Sequence, residues 1–103
     1  MPRTPIHPGE ILADELAELK MSAAKLAKAV HVPPNRISQI IAGKRAVSAD
    51  TAIRLGKWFA TSPEFWLNLQ KAYELDMACL NAGPDIKRII PRKALSGSAV
   101  AVS

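Results

Sequence analysis

"HVPPNRISQIIAGKR", residues His31 to Arg45, is the stretch on which the fold turns. Ile37, Ile40 and Ile41 recur at helical spacing, yet the stretch opens with two consecutive prolines. Proline has no N–H and clashes with a preceding helical turn, so it does not belong inside a helix. A residue before proline is pushed into extended backbone, which makes Pro33 the flanking, non-helical residue. Pro34 then suits the first helical position, where its missing N–H would be unpaired in any case. The prolines therefore fix a helix start at Pro34, with the helix running to Ala42. Pro33 brings no capping side chain, so first-turn N–H groups lack a local acceptor and can meet water or a phosphate.

Immediately upstream, Ser22 caps a short helix through Val30 with Ala23, Leu26, Ala27 and Val30 facing inward. Two short helices in series, joined at "HVP", then share an inner face of Ala27, Val30, Val32, Ile37 and Ile40. This is the spacing of a helix-turn-helix, whose second helix lies in the DNA major groove. An ordinary αα-hairpin shares the spacing, and the outer face separates the two. Pro34, Asn35, Ser38 and Gln39 are polar or compact there, with Arg36, Lys44 and Arg45 at the margins. Asn and Gln can pair with adenine through two hydrogen bonds, whereas Arg and Lys suit backbone phosphate.

The charge distribution agrees. Between Met21 and Arg45 stand Lys25, Lys28, Arg36, Lys44 and Arg45 with no acid, while the preceding segment carries Glu10, Asp14, Glu15 and Glu18 against Arg3 and Lys20. Segregated positive charge implies an anionic partner. The plainer alternative is a solvated face on a chain of net charge +5.

Helix punctuation continues on both sides. Pro8 and Glu10 open a first helix whose Leu12, Leu16 and Leu19 form one apolar stripe, ending near Lys20. Ser48 opens a fourth, with Ala52, Leu55, Gly56 and Phe59 inward. Ser62–Pro63 opens a fifth, predicted to end near Asn81, on which Phe65, Trp66, Leu69, Tyr73 and Met77 are apolar. Five helices with short connections make an all-α domain over 1–82. The remainder, 83–103, is a C-terminal extension. Its "DIKRIIP" reads equally as a short extended segment, a strand over 85–90, or as irregular coil. A strand there would need a partner, which points to pairing across a dimer. The closing "SGSAVAVS" is expected to be disordered.

Several function classes drop out. At 103 residues there is room for one modest core. No run approaches the roughly eighteen apolar residues of a membrane span, and the start holds no stretch of signal-peptide length. The single cysteine, Cys79, excludes an internal disulfide and fits a reducing, cytoplasmic setting. No Cys/His cluster has metal-ligand spacing. Neither paired carboxylates, a nucleophile–base set nor a Gly-rich phosphate loop points to an enzyme or a cofactor. His7 reads as a cap or surface group, His31 as a turn residue, and Cys79 as a small buried apolar group. Of the Trp58–Phe59 and Phe65–Trp66 pairs, one member each is expected to face outward. Trp66, Leu69, Tyr73 and Met77 then make a dimer face along the fifth helix, extended by Ile86 and Ile89.

"LAKAVHVPPNRISQIIAGKR" and "VSADTAIRLGKWFATSPEFWLNLQ", with "HPGEIL" near the start, resemble the HigA-type antitoxins, or virulence-associated protein I group, of the Xre/Cro helix-turn-helix class. The resemblance covers roughly His7 to Glu74, and its "SPEFWLNLQ" block is not shared by helix-turn-helix domains generally. It implies a five-helix, lambda-repressor-like DNA-binding domain that acts as a homodimeric repressor of its own operon. It also implies neutralisation of an mRNA-cleaving HigB-type toxin; the acidic Glu10–Glu18 stretch reads as a solvated helix face, with a docking surface for such a basic toxin as the alternative. By the same resemblance, base contacts fall on Pro34, Asn35, Ser38 and Gln39, and phosphate contacts on Lys25, Arg36, Lys44 and Arg45. Two positions depart from the family pattern: His31 stands where many relatives have Gly, and Pro33 where they often have Ser. A stand-alone regulator without a toxin, and an interaction module that has lost DNA binding, are the alternatives.

Overall fold

Four serine or histidine side chains and one proline pair punctuate the chain into helices. In the computed structural model, which describes residues 4–93, these are α1 (Pro8–Leu19), α2 (Ala23–Ala29), α3 (Pro34–Ile41), α4 (Ala49–Phe59) and α5 (Pro63–Lys87). His7 Nδ1 accepts from the Gly9 N–H at 2.9 Å, and Ser22, Ser48 and Ser62 each accept from an N–H three residues on, at 3.1–3.3 Å. Each such cap satisfies a donor that the helix itself leaves unpaired. Among the helices of the described residues, α3 alone starts without a side-chain cap, at Pro33.

The helices enclose one core of Leu12 and Leu16 from α1, Leu26, Ala27 and Val30 from α2, Ile37 and Ile40 from α3, Val47, Ala52 and Leu55 around α4, and Trp66 from α5. Each fully buried leucine or isoleucine contributes about 1.5–3 kcal/mol relative to exposure. α2 packs on α3 and α4 on α5, with α1 bridging α3 and α5. Gly9 permits that bridge: a Cβ on it would run into the carbonyl of Ile40, at the far end of α3. The N-terminus of α1 is thereby clamped to the C-terminal turn of α3.

The structure departs from the sequence reading in several places. Leu19 is exposed, so the buried stripe of α1 is Leu12 and Leu16 with Pro8 and Gly9. α5 does not stop near Asn81 but continues through Gly83 and Pro84 to Lys87. Gly-Pro is ordinarily a stop, because proline removes one helical N–H. Here Pro84 is exposed, so water can take the carbonyl that is left over. A boundary at residue 82 therefore falls inside a helix, and the strand over 85–90 does not form: its first half is helical, and no strand occurs among the described residues. Cys79, finally, is exposed on α5, where the helix has left the core behind. The tail from residue 94, with its "SGSAVAVS", lies outside the described residues.

The face proposed for dimer contact also changes. Trp66 is only 1% exposed, donates Nε1–H to Thr61 Oγ1 at 3.1 Å, and packs against Phe59 and Phe65. It is core and cannot meet a second chain. Leu69, Tyr73 and Met77 are half-buried, with Tyr73 set edge-on to His7 at 4.8 Å. Ile86 and Ile89 are exposed, together with Leu75, Leu80 and Ile90. Trp58 and Phe65 are the outward members of the two aromatic pairs.

Candidate nucleic-acid interface

The corner between α2 and α3 is built by backbone first. Val30 ends α2, and His31 takes a left-handed conformation with φ 62°. The His31 N–H then donates to Lys28 O at 3.2 Å and the Val32 N–H to Ala27 O at 3.0 Å. A non-glycine residue is strained in this region, but His is among the side chains that tolerate it. Val32 turns inward against the core and fills the corner.

A side chain from a distant helix secures the outside of that corner. Arg54 on α4 donates Nη1–H to Val30 O at 2.9 Å and to His31 O at 3.0 Å, while its Nε–H meets Asp50 Oδ2 at 2.9 Å. A guanidinium placed on the last carbonyls of α2 complements the negative end of that helix. Sequence reading missed Arg54: only its i,i+4 relation to Asp50 was legible, and nothing in the spacing aims it at residues 30 and 31.

The far end of α3 is held with equal economy. Gly43 adopts φ 76° with its N–H on Ile40 O, and the Lys44 N–H returns to Gln39 O at 2.9 Å. The loop after it is fastened by Gln70, which is buried in α5 and accepts the Val47 N–H on Oε1 at 2.9 Å. Its amide Nε2 in turn donates to Glu74 Oε2 at 2.9 Å. Gln70 was also missed. Its signal was available as a lone polar residue four positions after Trp66 on the inward face of α5.

Ile37 and Ile40 are thus buried while the opposite face of α3 looks outward. Pro34, Asn35 and Ser38 are exposed and Gln39 is half-buried. Ser38 Oγ donates back to Asn35 O at 3.1 Å, and Gln39 Oε1 accepts from Arg45 Nε at 2.9 Å. Of the expected phosphate contacts, Lys25, Lys44 and Arg45 are exposed around this face. Arg36 is placed differently: it is half-buried, with Nη1 3.5 Å from Thr51 Oγ1 at the start of α4. Since α3 lacks a side-chain cap, its positive N-terminal end is open to solvent at the exposed Pro34 and Asn35.

His7 sits on the other side of α1. It is 8% exposed, and burial pushes its imidazole below the ordinary 6.5, with the Glu10 carboxylate opposing. Its role is that of a neutral acceptor at a helix start. Among the described residues no group of three or more His, Cys, Asp or Glu could hold a metal ion, and no helix is long and apolar enough to cross a membrane.

Comparison with known proteins places this geometry. The helix-turn-helix family model matches residues 12–66. Virulence-associated protein I of Dichelobacter nodosus is 51% identical over 74 residues, covering 71% of this chain and 68% of that protein. The structure of an addiction module antidote protein of the HigA family from Coxiella burnetii superposes with TM-score 0.85 at 54% identity, covering 87% of this chain and all of that one. Antitoxin HigA of Pseudomonas aeruginosa, solved with the higBA promoter, superposes with TM-score 0.82 at 48% identity over 85% of this chain and 98% of that one. The chain belongs to the helix-turn-helix family, in the group of HigA antitoxins and virulence-associated protein I.

Proposed function

We propose that this protein is the antitoxin of a HigBA-like toxin–antitoxin system: a cytoplasmic homodimer that binds its own operator through α3 and neutralises an mRNA-cleaving HigB-type toxin. The observation that carries the DNA-binding part is the outward face of α3. Its amides and uncapped N-terminus lie on a segment from Met21 to Arg45 that carries five cations and no acid. The HigA of Pseudomonas aeruginosa solved with promoter DNA, at 48% identity, supports the same use of the same elements here.

In this reading Pro34, Asn35, Ser38 and Gln39 approach base edges, while Lys25, Arg36, Lys44 and Arg45 meet phosphates. Two protomers would read half-sites about 34–36 Å apart, one helical turn of DNA. The exposed apolar residues of the outer half of α5 and the segment just after it, from Leu75 to Ile90, supply surface for joining them. Toxin neutralisation rests on family membership, and the exposed acids Asp14, Glu15 and Glu18 on α1 offer a face for a basic partner.

Two experiments test the reading. A mobility-shift assay on DNA upstream of the protein's own gene should show a specific complex that survives excess random DNA. Co-expression with the product of the adjacent gene should relieve a translation arrest that this product causes alone. A specific complex without relief would leave a stand-alone regulator; no specific complex would defeat the DNA-binding reading.

A further inference from the structure

We propose that Arg45 sets the base preference of Gln39, acting as a positioning residue for sequence recognition and not only as a cation on the DNA backbone. The inference rests on the DNA-binding reading above and concerns how that face discriminates. Its starting point is the hydrogen bond from Arg45 Nε to Gln39 Oε1, 2.9 Å, on the outward side of α3.

The bond follows from how the helix ends. Gly43, at φ 76°, reverses the chain, and the Lys44 N–H closes on the carbonyl of Gln39 itself. Arg45 is thereby carried back alongside Gln39, though it lies six residues later in sequence.

An amide has an acceptor side and a donor side, and rotating its last bond by half a turn exchanges them. In the major groove adenine offers a donor at N6 and an acceptor at N7, whereas guanine offers acceptors at both O6 and N7. Which base a glutamine prefers therefore depends on which way round its amide is held. Guanidinium has donors only. It is satisfied with Oε1 turned toward it, and the flipped amide would set N–H against N–H. Arg45 so fixes the polarity of Gln39 before DNA arrives, which also lowers the ordering cost of the contact. Oε1 keeps a second lone pair, and the terminal amino groups of Arg45 can reach a phosphate oxygen while Nε stays in place. One backbone contact and one base contact are then a single unit. Lysine reproduces it poorly: its ammonium also only donates, but as a mobile point charge on a flexible stem it lacks the planar fork that holds the amide in one orientation while a second donor pair points elsewhere.

The test is selection from a duplex library with a randomised centre, using the full-length protein and the variants R45K, Q39A, R45K/Q39A and K44A. Q39A should lose preference at one base pair per half-site. R45K keeps the charge, so any loss on random DNA is shared by every sequence and cancels when bases are compared at one position. It should nevertheless lose about fivefold or more of the discrimination at that same base pair. The double variant should be no less selective than Q39A alone, and K44A should bind more weakly with an unchanged consensus. R45K with wild-type discrimination, or with its loss at a different base pair, overturns the inference. So does a Q39A variant with the wild-type consensus. A wild-type protein that enriches no sequence overturns the DNA-reading itself, and this inference with it.

Discussion

Arg54 Nη1 lies 3.0 Å from the carbonyl oxygen of His31, the residue whose left-handed backbone makes the corner of the helix-turn-helix. The same nitrogen meets the Val30 carbonyl at 2.9 Å. Helix α4 thus holds from outside a turn that α2 and α3 make between themselves. Arg54→Ala should destabilise the fold by about 1–2 kcal/mol, a charged hydrogen-bond value discounted because the side chain is 37% exposed. Urea unfolding measures it, and a loss below about 0.3 kcal/mol would show that the corner stands without it.

His31 bears the strain of that corner with an exposed side chain. Replacing it by Gly should remove an αL penalty and raise stability by roughly 1 kcal/mol, net of the extra freedom glycine gives the unfolded chain. Thermal unfolding should show a higher midpoint for His31→Gly and a lower one for His31→Val, whose branched Cβ is poorly tolerated at positive φ.

Gln70 Oε1 accepts the buried Val47 N–H. Gln70→Leu would fill the space but leave a buried backbone donor unpaired, at a cost of about 1–3 kcal/mol. Amide hydrogen exchange at Val47 should accelerate in that variant by more than at Leu55, which lies in the same core.

Acid should weaken the N-terminus of α1. His7 accepts a hydrogen bond on Nδ1, and burial holds its pKa below 6.5. The unfolded chain therefore binds a proton that the folded chain resists. The stabilisation is complete above pH 6.5 and is lost as pH falls through the folded-state value. His7→Asn keeps an acceptor without a titrating group. Its stability should be flat over the interval just below 6.5 in which the wild-type protein declines; parallel profiles would remove His7 as the source.

On DNA, substitutions should divide by the chemistry of their contacts. Lys44→Ala should weaken binding to every sequence and reduce the log–log salt slope by about 0.9. Asn35→Ala should cost about 1–3 kcal/mol on the preferred sequence and relax one position, leaving random DNA nearly unaffected. Titrations at several salt concentrations separate the two; equal losses on specific and random DNA for Asn35→Ala would reassign it to the backbone.

Much of this was legible in one dimension. Pro33–Pro34 placed the start of α3, serines placed three other starts, and the isoleucine spacing turned Asn35, Ser38 and Gln39 outward. These features are local: a missing N–H, a hydroxyl three residues from a backbone donor, and a period of 3.6 all act within one or two turns. For the same reason the end predicted near Asn81 falls short of the helix, which runs on through Gly83–Pro84. Proline costs a helix one bond, and α5 is long enough to run on past that loss.

What the chain alone could not express is which groups meet across distance. Trp66 looked free to join a partner and is instead sealed under Phe59 and Phe65; Arg36, read at the margin of α3, also reaches Thr51 at the start of α4. Arg54 on Val30 and His31, and Gln70 on Val47, tie residues 23 or 24 positions apart. Sequence patterns fix which face of a helix is apolar, because that depends on the helix's own repeat. The orientation of one helix against the next depends on packing, and only packing decides whose polar side chain completes whose backbone.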